Sequence, residues 1–338
     1  MEPLRHIDRT EPGYTRRRHG RGFVYLDEEG RPIRDERIGR IRSLAIPPAW
    51  ADVWICVDER GHLQATGVDN AGRLQYLYHP AWRAARDRAK FLRIEGFAEA
   101  LPALREHVGR DIRRRGYPRA RILACSIRLL DRGLFRVGTE DYVSNGSFGL
   151  ATLRREHVVV HRASVDFDFV GKGGKRHVLE VTDADVVRVL RALRRRRAAP
   201  TDDLLVWQDD GTWRTIRAAD INGYLKETSG EDFSAKDFRT WHATVLAATL
   251  LAEHGTEASR RGAKGAIRRA AEEVSDHLGN TATVARRSYI DPRVIARYLE
   301  GEVVDLSGIP DGDPERGLEA AVLDLLRKHP RRSWPEAA

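Results

Sequence analysis

The chain has 338 residues, of which 41% are hydrophobic: enough for two domains with apolar cores, and too many for global disorder. Its net charge of +9 and pI of about 9.8 favour a polyanionic partner. Cys56 and Cys125 are the only cysteines, which excludes a disulfide framework or a cysteine-rich metal site. No apolar run follows Met1 as in a signal peptide, and the longest apolar stretch, around residues 245–252, is too short to span a bilayer. The expectation is a soluble protein of a reducing compartment, the cytoplasm, with no membrane contact.

In chain order, residues 1–22 are basic and irregular and read as a solvated arm. Residues 23–26 suggest a strand, 34–43 a helix ended before Pro47-Pro48, and 54–57 with 62–66 a hairpin. Residues 73–78, Arg-Leu-Gln-Tyr-Leu-Tyr, have strand-like aromatic content, with Tyr76 and Tyr78 on one face and Leu77 on the other. Residues 1–80 are therefore expected to form a small, mostly β domain. After Pro80 the period becomes helical, which places a helical linker at 81–95 and a second domain at 96–305.

Within that second domain Pro118 starts a helix that continues past Leu130. A polar loop leads to β segments at 157–161, 165–170 and 176–181, with a Gly171-Lys-Gly-Gly-Lys175 turn between the last two. Residues 184–197 form an amphipathic helix closed by Pro200, and residues 207–216 a short hairpin turning at Asp210-Gly211. Helices at 236–252 and over Ile267, Ala271, Val274 and Leu278 lead to Asn280. Nine residues on, Tyr289 stands just ahead of a helix whose N-cap is Asp291 and whose N1 residue is Pro292. Residues 306–338 read as a loosely attached tail.

The positive charge is carried almost wholly by arginine; lysine occurs only at positions 90, 172, 175, 226, 236, 264 and 328. Arginine stays protonated and is a poor proton donor, whereas a lysine can be tuned for proton transfer. Four segments stand out. Arg136 interrupts apolar neighbours just after a helix, and Lys172 and Lys175 sit on a glycine turn. Arg239 lies in the first helical turn of Lys236-Asp-Phe-Arg-Thr-Trp-His242, where the macrodipole disfavours a cation. It therefore needs an anionic partner, either a structural carboxylate or a phosphate. The fourth segment is His277 to Pro292, with Asn280 and Tyr289.

Taken in order, these segments resemble the type IB DNA topoisomerases, specifically the compact bacterial and poxvirus-like enzymes. The resemblance covers roughly residues 20–305. Leu63-Gln-Ala-Thr-Gly-Val-Asp69 and Gly72-Arg-Leu-Gln-Tyr-Leu-Tyr-His79 are similar to that family's N-terminal domain. Phe135-Arg-Val-Gly-Thr-Glu-Asp-Tyr142, Gly149-Leu-Ala-Thr-Leu153, Phe169-Val-Gly-Lys172, Asp237-Phe-Arg-Thr240 and Arg287-Ser-Tyr-Ile-Asp-Pro292 are similar to its catalytic blocks. The family implies an α+β chain: a β-rich N-terminal domain and a mainly helical, tyrosine-recombinase-like catalytic domain with a small sheet, closing as a C-shaped clamp.

It also implies relaxation of supercoiled duplex DNA through a 3′-phosphotyrosyl intermediate by a nucleoid-associated monomer, without metal, ATP or other cofactor. Tyr289 would be the nucleophile, Arg136 and Arg239 the donors to the phosphorane, and Lys172 the acid that protonates the 5′ oxygen. Arg73, Gln75, Tyr76, Tyr78 and Tyr142 match DNA-contacting positions, and affinity should fall steeply with salt. Many relatives carry histidine where this chain has Asn280, which can ligate a phosphate oxygen but cannot shuttle a proton. Two other readings remain. A tyrosine recombinase shares the catalytic logic, but its usual histidine ahead of the second arginine is absent from Lys236-Asp-Phe-Arg239. A non-catalytic basic DNA-binding protein would bind with the same salt dependence and form no covalent adduct. No P-loop spacing and no carboxylate cluster for two-metal chemistry occur in the sequence.

Overall fold

A computed structural model describes the protein over residues 3–196, 201–310 and 312–328, and Tyr142 by its backbone alone. The chain divides into two compact units, Met1–Lys90 and Phe91–Ala338. The expected linker at 81–95 is not a separate element but part of one helix, α2 (Pro80–Asp111), which tolerates Pro102 in its interior.

The first unit is a five-stranded antiparallel sheet. Its strands are β1 (Gly13–His19), β2 (Gly22–Leu26), β3 (Ala51–Cys56), β4 (Leu63–Val68) and β5 (Leu74–Tyr78), in the order β2-β1-β3-β4-β5. Helix α1 (Arg37–Ser43) contributes Ile41 to a core with Tyr14, Ile33, Ile46, Val53, Ile55 and Ala65. The expectation of a solvated arm at 1–22 is corrected here, since β1 pairs with β2 on one side and β3 on the other. An arginine-rich strand is tolerated because Arg16 caps the carbonyls of Ile46, Pro47 and Trp50 at 3.1, 2.9 and 2.6 Å. Its guanidinium also stacks over Phe23.

The second unit is largely helical. Its central helix α3 (Arg119–Gly133) is buried along most of its length, from Ile122 through Leu130. On it pack α4 (Ala184–Arg195), α5 (Ala218–Ser229) and α6 (Ala235–His254). Asp183 caps α4 by accepting from the N–H groups of Asp185 and Val186, both at 3.0 Å. A three-stranded antiparallel sheet, β6 (Val158–Val160), β7 (Val165–Val170) and β8 (Arg176–Val181), and a hairpin, β9 (Val206–Asp209) and β10 (Thr212–Thr215), complete the small sheets. Pro200, expected to close α4, lies outside the described residues.

Helix α7 (Arg260–Leu278) ends at Gly279 in the left-handed region, φ 63°, which suits glycine. Then come α8 (Ala282–Ser288), α9 (Pro292–Leu299) and α10 (Pro314–Lys328). The reading of residues after 305 as a loose tail is corrected by α10, which buries Val322, Leu325 and Leu326. Its polar contacts explain why the pattern looked weak. Glu319, on the buried face, accepts from Trp241 Nε1 at 3.1 Å and from Arg105 at 2.6 Å. The architecture is α+β, a β-sheet domain followed by a helical region with small sheets.

Candidate functional site

The site starts where α3 stops. Leu134, just beyond its end, has a left-handed backbone with φ 52°, a conformation costing a β-carbon-bearing residue about 1–2 kcal/mol. The chain then runs straight through Arg136. Its carbonyl accepts from Leu150 N at 2.8 Å, and that of Val137 from Ala151 N at 2.7 Å. Gly138 and Gly149 meet back to back, so a Cβ on Gly138 would lie 2.7 Å from Gly149 Cα. Two of the sequence blocks, 135–142 and 149–153, are thus one interlocked unit. It presents Arg136 to the α7–α8 junction, where the guanidinium donates to Asn280 Oδ1 and to Gly279 O at 3.4 Å.

Arg239 is the fifth residue of α6, at the start of its second turn rather than in the first as expected, and is only 5% exposed. It donates to the carbonyls of Leu134 and Leu278, the latter at 2.8 Å, and its guanidinium lies over the Tyr289 ring, 5.3 Å from the centroid. Among the described residues no carboxylate pairs with it, which removes one of the two partners its position called for. Burial first, and then the charge of Arg136, push its pKa down to about 10. Its Nε has no partner, and neither does Asn280 Nδ2. Each unsatisfied buried donor costs about 1–3 kcal/mol, and these two, with the guanidinium groups of Arg136 and Arg239, suit an anionic oxygen.

Tyr289 is the residue that ends α8, half-buried, with Asp291 capping α9 as the local sequence predicted. The Thr244 hydroxyl pins this corner: it lies 3.2 Å from Tyr289 O and accepts from Asp291 N at 3.1 Å. Burial pushes the phenol pKa up. The charge and hydrogen bond of Arg239, with Arg136 and Lys236 beyond it, outweigh that and hold it below its ordinary value.

The lysine turn closes the other side. Gly173 and Gly174 have φ of 78° and 75°, and the turn is tied by Gly171 N to Lys175 O at 2.8 Å. Lys172 is exposed, and lines one cleft with Arg136, Arg239, His177 and His277. The fold therefore gathers Arg136, Lys172, Arg239, Asn280 and Tyr289 from four separate stretches of chain.

The remaining expected residues lie elsewhere. Tyr76 and Tyr78 stack on one face of β5, with centroids 6.0 Å apart and Tyr76 48% exposed, while Leu77 packs on the core. Asp69 engages both Arg73, at 2.8 Å, and Gln75, at 2.9 Å. Tyr142 lies in the 3-10 turn Glu140–Asn145, and its side chain is outside the described residues. Sequence reasoning passed over Thr244, Arg293 and His177. Only His177 had a signal: it sits as far after the lysine turn as Phe169 sits before it, and the two pair across the hairpin. No helix is long and apolar enough to cross a membrane, and no group of three or more His, Cys, Asp or Glu side chains is placed to hold a metal, both among the described residues.

The chain is α+β, with a cleft lined by Arg136, Lys172 and Arg239, the last of which lies over the Tyr289 ring. The family described as eukaryotic DNA topoisomerase I, catalytic core, matches residues 79–300, and that described as bacterial DNA topoisomerase IB, N-terminal domain, matches residues 22–69. A protein of Acanthamoeba polyphaga mimivirus called DNA topoisomerase 1B is 29% identical over 285 residues, covering 82% of this chain and 85% of that one. The chain belongs to the type IB DNA topoisomerases.

Proposed function

We propose that this enzyme relaxes duplex DNA by transient cleavage of one strand, with Tyr289 as the nucleophile. The observation that carries the reading is Arg239: buried, over the Tyr289 ring, beside Arg136 and without a carboxylate among the described residues. A scissile phosphate would pair with both guanidinium groups.

In the cleavage step Tyr289 loses its proton to water, and Oη attacks phosphorus in line with the 5′ oxygen. The Tyr289 Oη–P bond forms, the P–O5′ bond breaks, and Lys172 Nζ gives its proton to the departing oxygen. The phosphorane's added negative charge falls on non-bridging oxygens, where Arg136 and Arg239 are forked, permanently charged donors; the free Asn280 Nδ2 adds a third. Because the ester bond is retained on tyrosine, resealing runs the same steps backwards with no external energy source. Lys172 is the preferred acid over Lys175, since it lines the cleft with both arginines.

The two units share DNA holding in this reading, with Tyr76 and Tyr78 as contacts from β5. A monomer acting on random duplex separates this activity from site-specific recombination. Incubation with negatively supercoiled plasmid in EDTA without ATP, followed by a denaturing quench, tests it. The expected result is relaxed topoisomers and a protein-linked 3′ end, both absent in Tyr289→Phe. Binding without relaxation or adduct would withdraw the catalytic roles.

A further inference from the structure

The hairpin that carries the lysine turn meets the α7–α8 junction at one ring. His177 on β8 stands opposite Phe169 on β7, and the rings stack with centroids 5.3 Å apart and planes 17° apart. A Cβ on Gly171, which opens the turn, would lie 2.6 Å from His177 Cδ2, and one on Gly279, which precedes Asn280, would overlap Cε1. The imidazole is thus wedged between the backbone that leads to Lys172 and the backbone that leads to Asn280. Neither ring nitrogen has a hydrogen-bond partner among the described residues, so the ring is held by shape and stacking. Burial, then the cations of Arg136, Arg239 and Lys175, hold its pKa below the ordinary histidine value. The neutral ring can therefore sit among those cations without adding to their repulsion.

We propose that His177 is a positioning residue for proton delivery: it keys the lysine turn onto the Gly279–Asn280 junction and so sets where Lys172 stands. This rests on the reading of Tyr289 as nucleophile and Lys172 as acid. The turn itself supplies little rigidity, since Gly173 and Gly174 flank no packed side chain and Lys172 is exposed. Its placement must come from the strands below it: β7 packs on the Arg136 segment through Phe135, and His177 is where β8 meets the Gly279–Asn280 junction.

The test compares single-turnover cleavage by the full chain on two duplexes, one normal and one with sulfur replacing the bridging 5′ oxygen. In the second, Tyr289 Oη–P forms and P–S breaks, and the thiolate leaves without needing a proton. A positioning error of about 1 Å costs on the order of 100-fold. His177→Ala is accordingly expected to slow the oxygen substrate by about 10- to 100-fold and the sulfur substrate by less than about threefold. Lys172→Ala should show the same contrast more strongly. His177→Phe, which keeps the stacked ring, should stay within about threefold of wild type on both substrates by the same argument.

Equal slowing of both substrates by His177→Ala would mean a general packing role and overturn the proposal. So would an unchanged oxygen rate, or a His177→Phe as slow as His177→Ala, which would point to a hydrogen bond instead. Should His177→Ala not fold, His177→Leu fills the space without a stacking ring and is read in the same way. If sulfur fails to rescue Lys172→Ala, the positioning role falls with the acid assignment. The Tyr289-dependent adduct then still stands, so the two failures are told apart.

Discussion

Arg239 and Arg293 are both buried, 5% and 1% exposed, and both belong to elements flanking Tyr289, yet their charges are balanced in opposite ways. Arg293 holds Asp291 at 2.8 Å and also Glu95, joining α9 to α2. Burial pushes its pKa down, but the two carboxylates outweigh that and hold it above its ordinary value. Arg239 has two carbonyls and an aromatic face, no carboxylate among the described residues, and a pKa pushed down to about 10. One arginine is satisfied by the fold alone. The other is held by neutral groups alone among the described residues, and in the proposed reading the phosphate is its counter-ion.

Substitutions can break this comparison. The largest effect on stability is expected from Arg293→Met, which strands Asp291 and Glu95 as buried, uncompensated carboxylates and should cost about 3–5 kcal/mol. Chemical denaturation measures it. Arg239→Met should instead lose about 100- to 1,000-fold in single-turnover cleavage, the cost of a lost donor to developing charge. Its stability loss should be the smaller of the two, because removing an unpaired buried charge offsets the two abandoned carbonyls. Equal stability losses in the two variants would erase the distinction.

A pH profile sharpens the same point. The Tyr289 phenol is held below its ordinary value of 10.0, so its deprotonated fraction, and with it cleavage, should rise with pH through a midpoint under that value. In Arg239→Met the chief lowering influence is gone while burial remains, and the midpoint should move up. A profile that does not move would disconnect the two residues. The smallest effect is expected from Asn280→Ala, about 10- to 100-fold in cleavage, since one hydrogen bond from a neutral donor to a charged oxygen is worth about 1.5–3 kcal/mol. A loss equal to that of Tyr289→Phe would refute a role as an oxygen ligand.

Much of the local structure was legible. Asp291 and Pro292 announced α9, the Pro118 start announced α3, and alternation between 165 and 170 announced β7. The failures have a common cause. Strand β1 was hidden because Arg16 is satisfied by three carbonyls about thirty residues away, and α10 because Glu319 on its buried face is paid for by Arg105 and Trp241. A buried polar residue looks like surface until its partner is known.

The sequence by itself determined which chemistry was on hand: tyrosine at a helix junction, lysine on a glycine turn, arginine where a helix dipole disfavours it. Those are properties of residue type and near neighbours, set within a few positions along the chain. Only the tertiary structure decided that, among the described residues, Arg239 lacks a carboxylate while Arg293 has two, that Asn280 keeps a free donor, and that His177 stands between the lysine turn and Gly279. Charge compensation and close packing act through space over a few ångströms, between residues separated by up to about two hundred positions, and no local pattern carries them.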